Sequence, residues 1–145
     1  MRIIAGSLKG RRLEGPPKGE MDVRPTADRA RESLFSILQA WPMGSFVDLF
    51  GGTGAVALEA FSRGYGPVAC VEATPKAFLL KNLSYGEVTL FSQDALNLKP
   101  DSFAGLAVLF ADPPYERSQA LWAALSAKIR PWLAPGGILV WETDE

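Results

Sequence analysis

Val47-Asp48-Leu49-Phe50-Gly51-Gly52-Thr53-Gly54 joins an apolar run that closes on an acid to three glycines within four residues. Phe46 to Phe50 has the composition of a buried strand, and Ala55 to Phe61 has the Ala, Leu and Glu content of a helix. The glycines therefore fall on a strand-to-helix turn. Glycine suits such a turn because a tight bend wants positive φ and because a missing side chain lets backbone N–H groups approach a ligand. The pattern points to a cofactor turn, although glycine at this place also serves simple packing.

Working outward, the same alternation continues downstream. Strand-like runs span Pro67 to Glu72, Glu87 to Ser92, Leu106 to Ala111 and Gly137 to Glu142. Gly64 ends the helix after the glycine turn, Thr74-Pro75 opens a helix to about Tyr85, and another helix runs from about Arg117 to Ile129. Asn97 to Gly105 reads as irregular, with room for one helical turn. The strands are apolar throughout instead of alternating with polar residues, which predicts a mainly parallel sheet covered on both faces. The expected fold is a doubly wound, Rossmann-like α/β domain, whose ligands bind beyond the carboxyl ends of the strands.

Upstream, Arg2 to Gly6, Ser7 to Gly10 and Arg11 to Leu13 read as a short hairpin, and Gly15 to Pro25 as an extended loop. Thr26 is placed to cap a helix in which Ala27, Ala30, Leu34, Ile37, Leu38 and Trp41 recur at helical spacing, until Pro42 stops it. A chain of 145 residues is most simply one domain. Within 1–145, residues 1–25 are the basic hairpin and loop, 26–41 the N-terminal helix and 45–145 the cofactor-binding core.

Charge is unevenly spread. Residues 1 to 31 hold eight basic against four acidic groups, a balance of +4, so the remainder carries −5 of the net −1. A basic segment on an acidic body suits contact with phosphate, and equally a solvated face. One cysteine and no histidine exclude an intrachain disulfide and imply no metal. No run has the apolar length needed to span a bilayer, so no membrane role is expected and a reducing, cytoplasmic setting is the default.

The strand ends carry chemistry. Glu72, eighteen residues beyond Gly54, is placed to accept both hydroxyls of a ribose. Asp94, followed by Ala95, can accept an adenine amino group or cap a loop. Asp48 can hold the glycine turn or meet a cationic ammonium. Gly52 to Ala57 also satisfies the dinucleotide fingerprint, so a nicotinamide enzyme is a rival. Asp112-Pro113-Pro114-Tyr115 separates the two. Two prolines fix φ and remove two donors, leaving the Asp112 side chain and nearby carbonyls as a stiff set of acceptors beside an aromatic ring. That site wants a planar group rich in N–H donors, such as a nucleobase, and hydride transfer has no use for it.

Asp48-x-Phe50-x-Gly52-x-Gly54 resembles the first motif of class I S-adenosylmethionine-dependent methyltransferases, and Asp112-Pro113-Pro114-Tyr115 resembles the fourth motif of their amino-methylating branch. Arg2 to Gly6, Lys9-Gly10-Arg11, Arg24-Pro25-Thr26, Asp28 to Phe35 and Glu59 to Gly64 together resemble the bacterial RsmD group. That resemblance implies methylation of N2 of a guanine in small-subunit ribosomal RNA, within a small-subunit particle, by a monomer. It implies S-adenosylmethionine at Asp48, Phe50, Gly52, Gly54, Glu72, Asp94 and Ala95. Asp112, Pro113, Pro114 and Tyr115 become the catalytic turn. Lys9, Arg11, Arg12, Arg24, Arg29 and Arg31 would hold RNA phosphates, or in part line the cofactor pocket. Similar proteins carry Ala and Ser at Gly51 and Thr53, changes expected to leave the turn intact. They also continue past the strand at Gly137 to Glu142 into further edge elements that this sequence does not include. A DNA adenine-N6 methyltransferase or a noncatalytic RNA-binding module are the alternatives.

Overall fold

The structure, a computed structural model, describes residues 1–17 and 27–143, with the side chain of Ala27 excepted. Thr26 and Arg24 lie outside the described residues. Five strands, β1 (Phe46–Asp48), β2 (Val68–Val71), β3 (Val88–Phe91), β4 (Leu106–Ala111) and β5 (Leu133–Trp141), form one sheet in the order β3-β2-β1-β4-β5. Every adjacent pair is parallel. The chain lays β2 and β3 outward from β1 and then returns to lay β4 on the other side. The strand order therefore reverses between β1 and β4, the place where such sheets open a cleft.

Side-chain alternation sorts the sheet into two cores. Phe46, Val68, Cys70, Val108 and Phe110 pack on one face against α1 (Ala27–Leu38), α2 (Ala55–Ser62) and α3 (Ala77–Leu83). Val47, Ala69, Val71, Leu109 and Ala111 pack on the other, against Leu121, Leu125 and Ile129 of α4 (Ser118–Ile129). Burial on both faces is why the strands read as continuously apolar.

The N-terminal arm is a short hairpin around one antiparallel bridge, Arg2 with Arg12, in which the amides of Ile3, Leu13 and Gly10 donate to the carbonyls of Arg11 (2.9 Å), Met1 (3.0 Å) and Ile3 (2.8 Å). Ile3 and Leu13 bury themselves against Ala55 and Leu58 of α2. The arm is docked by Glu59, whose wholly buried carboxylate accepts the amides of Ile4 (3.0 Å) and Ala5 (3.1 Å). The same carboxylate pairs with Arg31 (3.0 Å) and Arg63 (2.8 Å). Ser62 adds its carbonyl to the Ser7 amide (2.8 Å) and its hydroxyl to the Leu8 amide (2.9 Å). A Cβ at Gly6 would lie 1.8 Å from that carbonyl, so only glycine fits there.

Several boundaries differ from the sequence reading. The helix expected to continue to Trp41 ends at Leu38, where Ala40 and Trp41 bond back to Ile37 and Leu38 in tighter three-residue steps. Thr74-Pro75 does not open α3, which starts at Ala77 behind an extended Lys76. The cause is Glu72, whose Oε2 takes the Thr74 amide (3.1 Å) and bends the chain into a loop first. The first strand stops at Asp48, two residues before Phe50. The last strand begins at Leu133, because the Pro135-Gly136-Gly137 turn signal is absorbed as an irregularity, Gly136 taking φ 80° while the register against β4 shifts.

Candidate active site

The sheet reversal opens a cavity of about 780 Å³ over the carboxyl ends of the strands. Asp48, Phe50, Gly52, Glu72, Asp94, Ala95, Asp112, Pro113, Pro114 and Tyr115 all line it, residues drawn from four separate strand ends. Gly54 does not. Its φ of 81° starts α2, and a Cβ would press 2.8 Å from Leu79 and 3.0 Å from Leu83, so its glycine serves helix packing. Gly52 has φ 58° and nothing within 4 Å of an added Cβ, so it faces open space in the cavity wall.

Gly51 is closely fitted to its neighbour. A Cβ there would meet the Cys70 sulfur at 2.1 Å, so alanine at this position requires the thiol to turn away. In this chain Gly51 is fitted to Cys70, the residue paired with Asp48 across β1 and β2.

Asp48 is 1% exposed and accepts the Phe50 amide (3.1 Å), which tightens the turn. Burial pushes its carboxyl up to about 7, against the pull of that amide, and the negative charges of Asp112, Glu72 and Glu142 push in the same direction as burial. Glu72 spans the rim, its Oε1 accepting the Gly52 amide (2.9 Å) and its Oε2 the Thr74 amide. Asp94 does cap a loop: its Oδ1 accepts the Leu96 amide (2.9 Å) at the single turn Ala95–Asn97, while the residue still lines the cavity.

On the far wall, Pro113 is buried, and the Pro114 carbonyl accepts the Arg117 amide (3.0 Å), which braces the turn. Tyr115 stands 49% exposed at the mouth, where its ring can meet a planar group. Behind the turn, Trp141 donates to Ser118 (3.1 Å) and packs edge-on against Phe50 and Trp122, tying β5 and α4 to the glycine loop.

Sequence reading missed Glu142. It follows β5, its amide bonds the Ala111 carbonyl (2.8 Å), and its side chain lines the cavity. Partial burial and the charge of Asp112 raise its carboxyl. The signal was present, since Glu142 closes an apolar run as Asp48, Glu72 and Asp112 do. Met1, Pro16, Ala30 and Leu34 also contribute a wall, so the arm and α1 lie beside the cavity.

The basic residues divide into groups. Arg31 is 4% exposed and lines the cavity wall, its guanidinium taken by Glu59, Asp28 (3.0 Å) and the Arg2 carbonyl. It is a structural pillar and not an outward phosphate contact. Arg29 is exposed on the outer side of α1, and Lys9, Arg11 and Arg12 are exposed on the arm, none of them at the cavity. Among the described residues no cluster of His, Cys, Asp and Glu is arranged to hold a metal, and no helix is long and apolar enough to cross a membrane.

A cleft at the sheet reversal, lined by the carboxylates at the strand ends and by Asp112-Pro113-Pro114-Tyr115, is the plan of the class I methyltransferases, and this domain is one of them. The profile of the family described as conserved hypothetical protein 95 matches residues 1–145, and the chain belongs to that family, the RsmD group. It is 32% identical over 155 residues to ribosomal RNA small subunit methyltransferase D of Haemophilus influenzae, covering 100% of this chain and 79% of that protein. The protein of the same name from Escherichia coli K12 is 30% identical over 151 residues, covering 99% and 75%. A solved structure of a hypothetical protein from Thermus thermophilus superposes with a TM-score of 0.80 at 30% identity, over 96% of this chain and 83% of that one.

Proposed function

We propose that this chain transfers a methyl group from S-adenosylmethionine to the exocyclic amino group, N2, of a guanine in small-subunit ribosomal RNA. The observation that carries the reading is the meeting, in one cavity, of the Asp48–Gly52 turn and Glu72 with Asp112-Pro113-Pro114-Tyr115 across the β1/β4 reversal. The names of the relatives point to the same substrate class.

The residues fit the cofactor. The cavity lies within the roughly 300–1,000 Å³ typical of small-molecule sites. Asp48, Glu72, Asp112 and Glu142 give it a negative field suited to a ligand bearing a sulfonium and an ammonium. Each Glu72 oxygen already takes one amide and retains acceptor capacity for a ribose hydroxyl. Gly52 leaves room for the cofactor against the backbone, and Asp94, fixed by Leu96, would accept the amino group of its adenine. When bound, S-adenosylmethionine supplies an electrophilic methyl on sulfur.

The chain supplies aim. A guanine amino lone pair is delocalised into the ring, so it must be oriented toward the methyl before it can attack. Asp112 and the Pro113 carbonyl accept the N–H bonds of that amine, and the prolines hold them still. Tyr115 stacks on the base, which leaves its helix to enter. An ionised carboxylate suits guanine, which presents N1–H and N2–H side by side, better than adenine, which presents one donor and one acceptor. The exposed arm holds the RNA backbone, and the chain acts as a monomer on a small-subunit particle in the cytoplasm. Incubation with labelled S-adenosylmethionine and ribosomal RNA lacking the modification should yield N2-methylguanosine on nucleoside analysis. Label in N6-methyladenine, or none with cofactor bound, would overturn it.

A further inference from the structure

The cation-bearing surface is not confined to the arm. Arg11 lays its guanidinium 4.2 Å from the centroid of the Tyr85 ring, and Lys81, four residues before Tyr85 in the last turn of α3, brings its ammonium to 5.9 Å from the same centroid. Arg11 and Lys81 are both exposed, and Tyr85 is half-buried against the arm's apolar contacts. The ring thus gathers two positive charges from two elements, against their mutual repulsion. One residue beyond Lys81, the wholly buried Asn82 fixes this arrangement. Its Oδ1 accepts the Glu14 amide (2.9 Å), and its Nδ2 donates to the carbonyls of Glu14 and Thr53 (both 2.8 Å). Arm and α3 are therefore held in one register. Residues 73–86 contain Lys76 and Lys81 and no acid, and Arg2, Lys9 and Arg12 stand exposed on the adjoining arm, with Glu14 and Glu87 at the borders.

Resting on the functional reading above, we infer that α3 and the arm make one phosphate-binding face, in which Lys81 and Arg11, positioned by Tyr85, hold the substrate RNA backbone away from the target nucleotide. The distance follows from the fold. None of Arg11, Lys81 and Tyr85 lines the cavity, and the arm that Arg11 belongs to is docked as far away as Ser62, at the far end of α2, an eight-residue helix roughly 12 Å long. Backbone held there belongs to nucleotides flanking the one that enters the cavity. Two flanking phosphate contacts contribute affinity and salt dependence and leave the chemical step alone.

Salt titrations of RNA binding by the full chain test this, with steady-state methyl transfer as the second readout. Lys81→Gln should weaken RNA binding about three- to tenfold at moderate salt and lower the log–log salt slope by roughly one. KM for RNA should rise, with kcat at saturating RNA and S-adenosylmethionine affinity unchanged. Tyr85→Leu should lose as much as Arg11→Gln and add little to it in combination, whereas Tyr85→Phe, which keeps the ring, should bind as the parent does. Parent-like affinity and slope for Lys81→Gln, in a preparation whose parent chain methylates RNA, would overturn this inference alone. A parent chain that binds S-adenosylmethionine but never modifies RNA would overturn the functional reading and this inference with it.

Discussion

Asp48 sits where burial and like charge both oppose its ionisation, which gives the cavity a pH signature. In the native chain its carboxyl titrates near 7, while unfolded it returns to its ordinary value of 3.8. Between those values the native state holds a proton that the unfolded state has released, so stability falls as pH rises from about 4 to about 7 and is level beyond. The effect of Asp48 alone is on the order of 4 kcal/mol at most. Denaturant unfolding across that window should show the parent losing stability relative to Asp48→Asn, whose side-chain oxygen can still accept the Phe50 amide. A constant difference between the two proteins would mean that Asp48 is ionised throughout. A cation entering the cavity favours the carboxylate, so S-adenosylmethionine affinity should rise with pH between about 6 and 8 in the parent and less so in the variant. On the opposite wall, Asp112→Ala should cut methyl transfer roughly tenfold to hundredfold, the worth of one charge-assisted hydrogen bond of about 1.5–3 kcal/mol, and spare cofactor binding. Asp112→Asn keeps the shape but can turn an N–H toward the donor-rich guanine edge, so it too should fall well below the parent. Single-turnover rates on bound RNA check both, and an undiminished rate for Asp112→Ala would reduce Asp112 to a turn former.

At the scale of elements, the junction between α2 and the arm rests on Glu59. Two amides and two guanidinium groups converge on one carboxylate with no exposure, so removing it strands the buried Arg31 and the partly buried Arg63. Glu59→Ala should destabilise the fold by about 3–5 kcal/mol. The arm should also become sensitive to limited proteolysis before the core unfolds. An arm cleaved no faster than in the parent would show that Ser62 and the apolar contacts of Ile3 and Leu13 suffice to dock it. This junction also marks the limit of what sequence could tell. Asp48, Glu72 and Asp112 were legible because each ends an apolar run that could only be a buried strand. Glu142 carried the same local signal, but its place beside Asp112 depends on β5 pairing with β4, which no single run reveals. Arg29 and Arg31 look alike in sequence. They differ because Glu59, 28 residues beyond Arg31, reaches only one of them. Gly54 matched a cofactor motif, and its place outside the cavity lining, against Leu79 and Leu83, could not be read from that motif.

For the molecule as a whole, alternating apolar runs sufficed to predict the doubly wound sheet, while the joining of arm to α3 through Asn82 is set by long-range contacts outside any periodicity. The arm's charge has its own test. Reversing Lys9, Arg11 and Arg12 together should weaken RNA binding and flatten its salt dependence, with S-adenosylmethionine affinity unchanged. If the triple variant modifies RNA as well as the parent at moderate salt, that surface is only solvated. The separation of charge matters further, because carboxylates outweigh Arg31 and Arg117 at the cavity while Arg2, Lys9, Arg11 and Arg12 of the arm and Lys81 of α3 stand exposed away from it. A molecule so polarised exerts a torque on any polyanion that drifts near it, turning the backbone toward the basic face during diffusion, before any contact forms. On the proposed function, the excess of carboxylates over Arg31 and Arg117 at the cavity would disfavour phosphate there and leave the mouth open to an uncharged ring. Base and backbone would thereby be told apart by sign at the entrance, the order of encounter set by an electric field with no moving part.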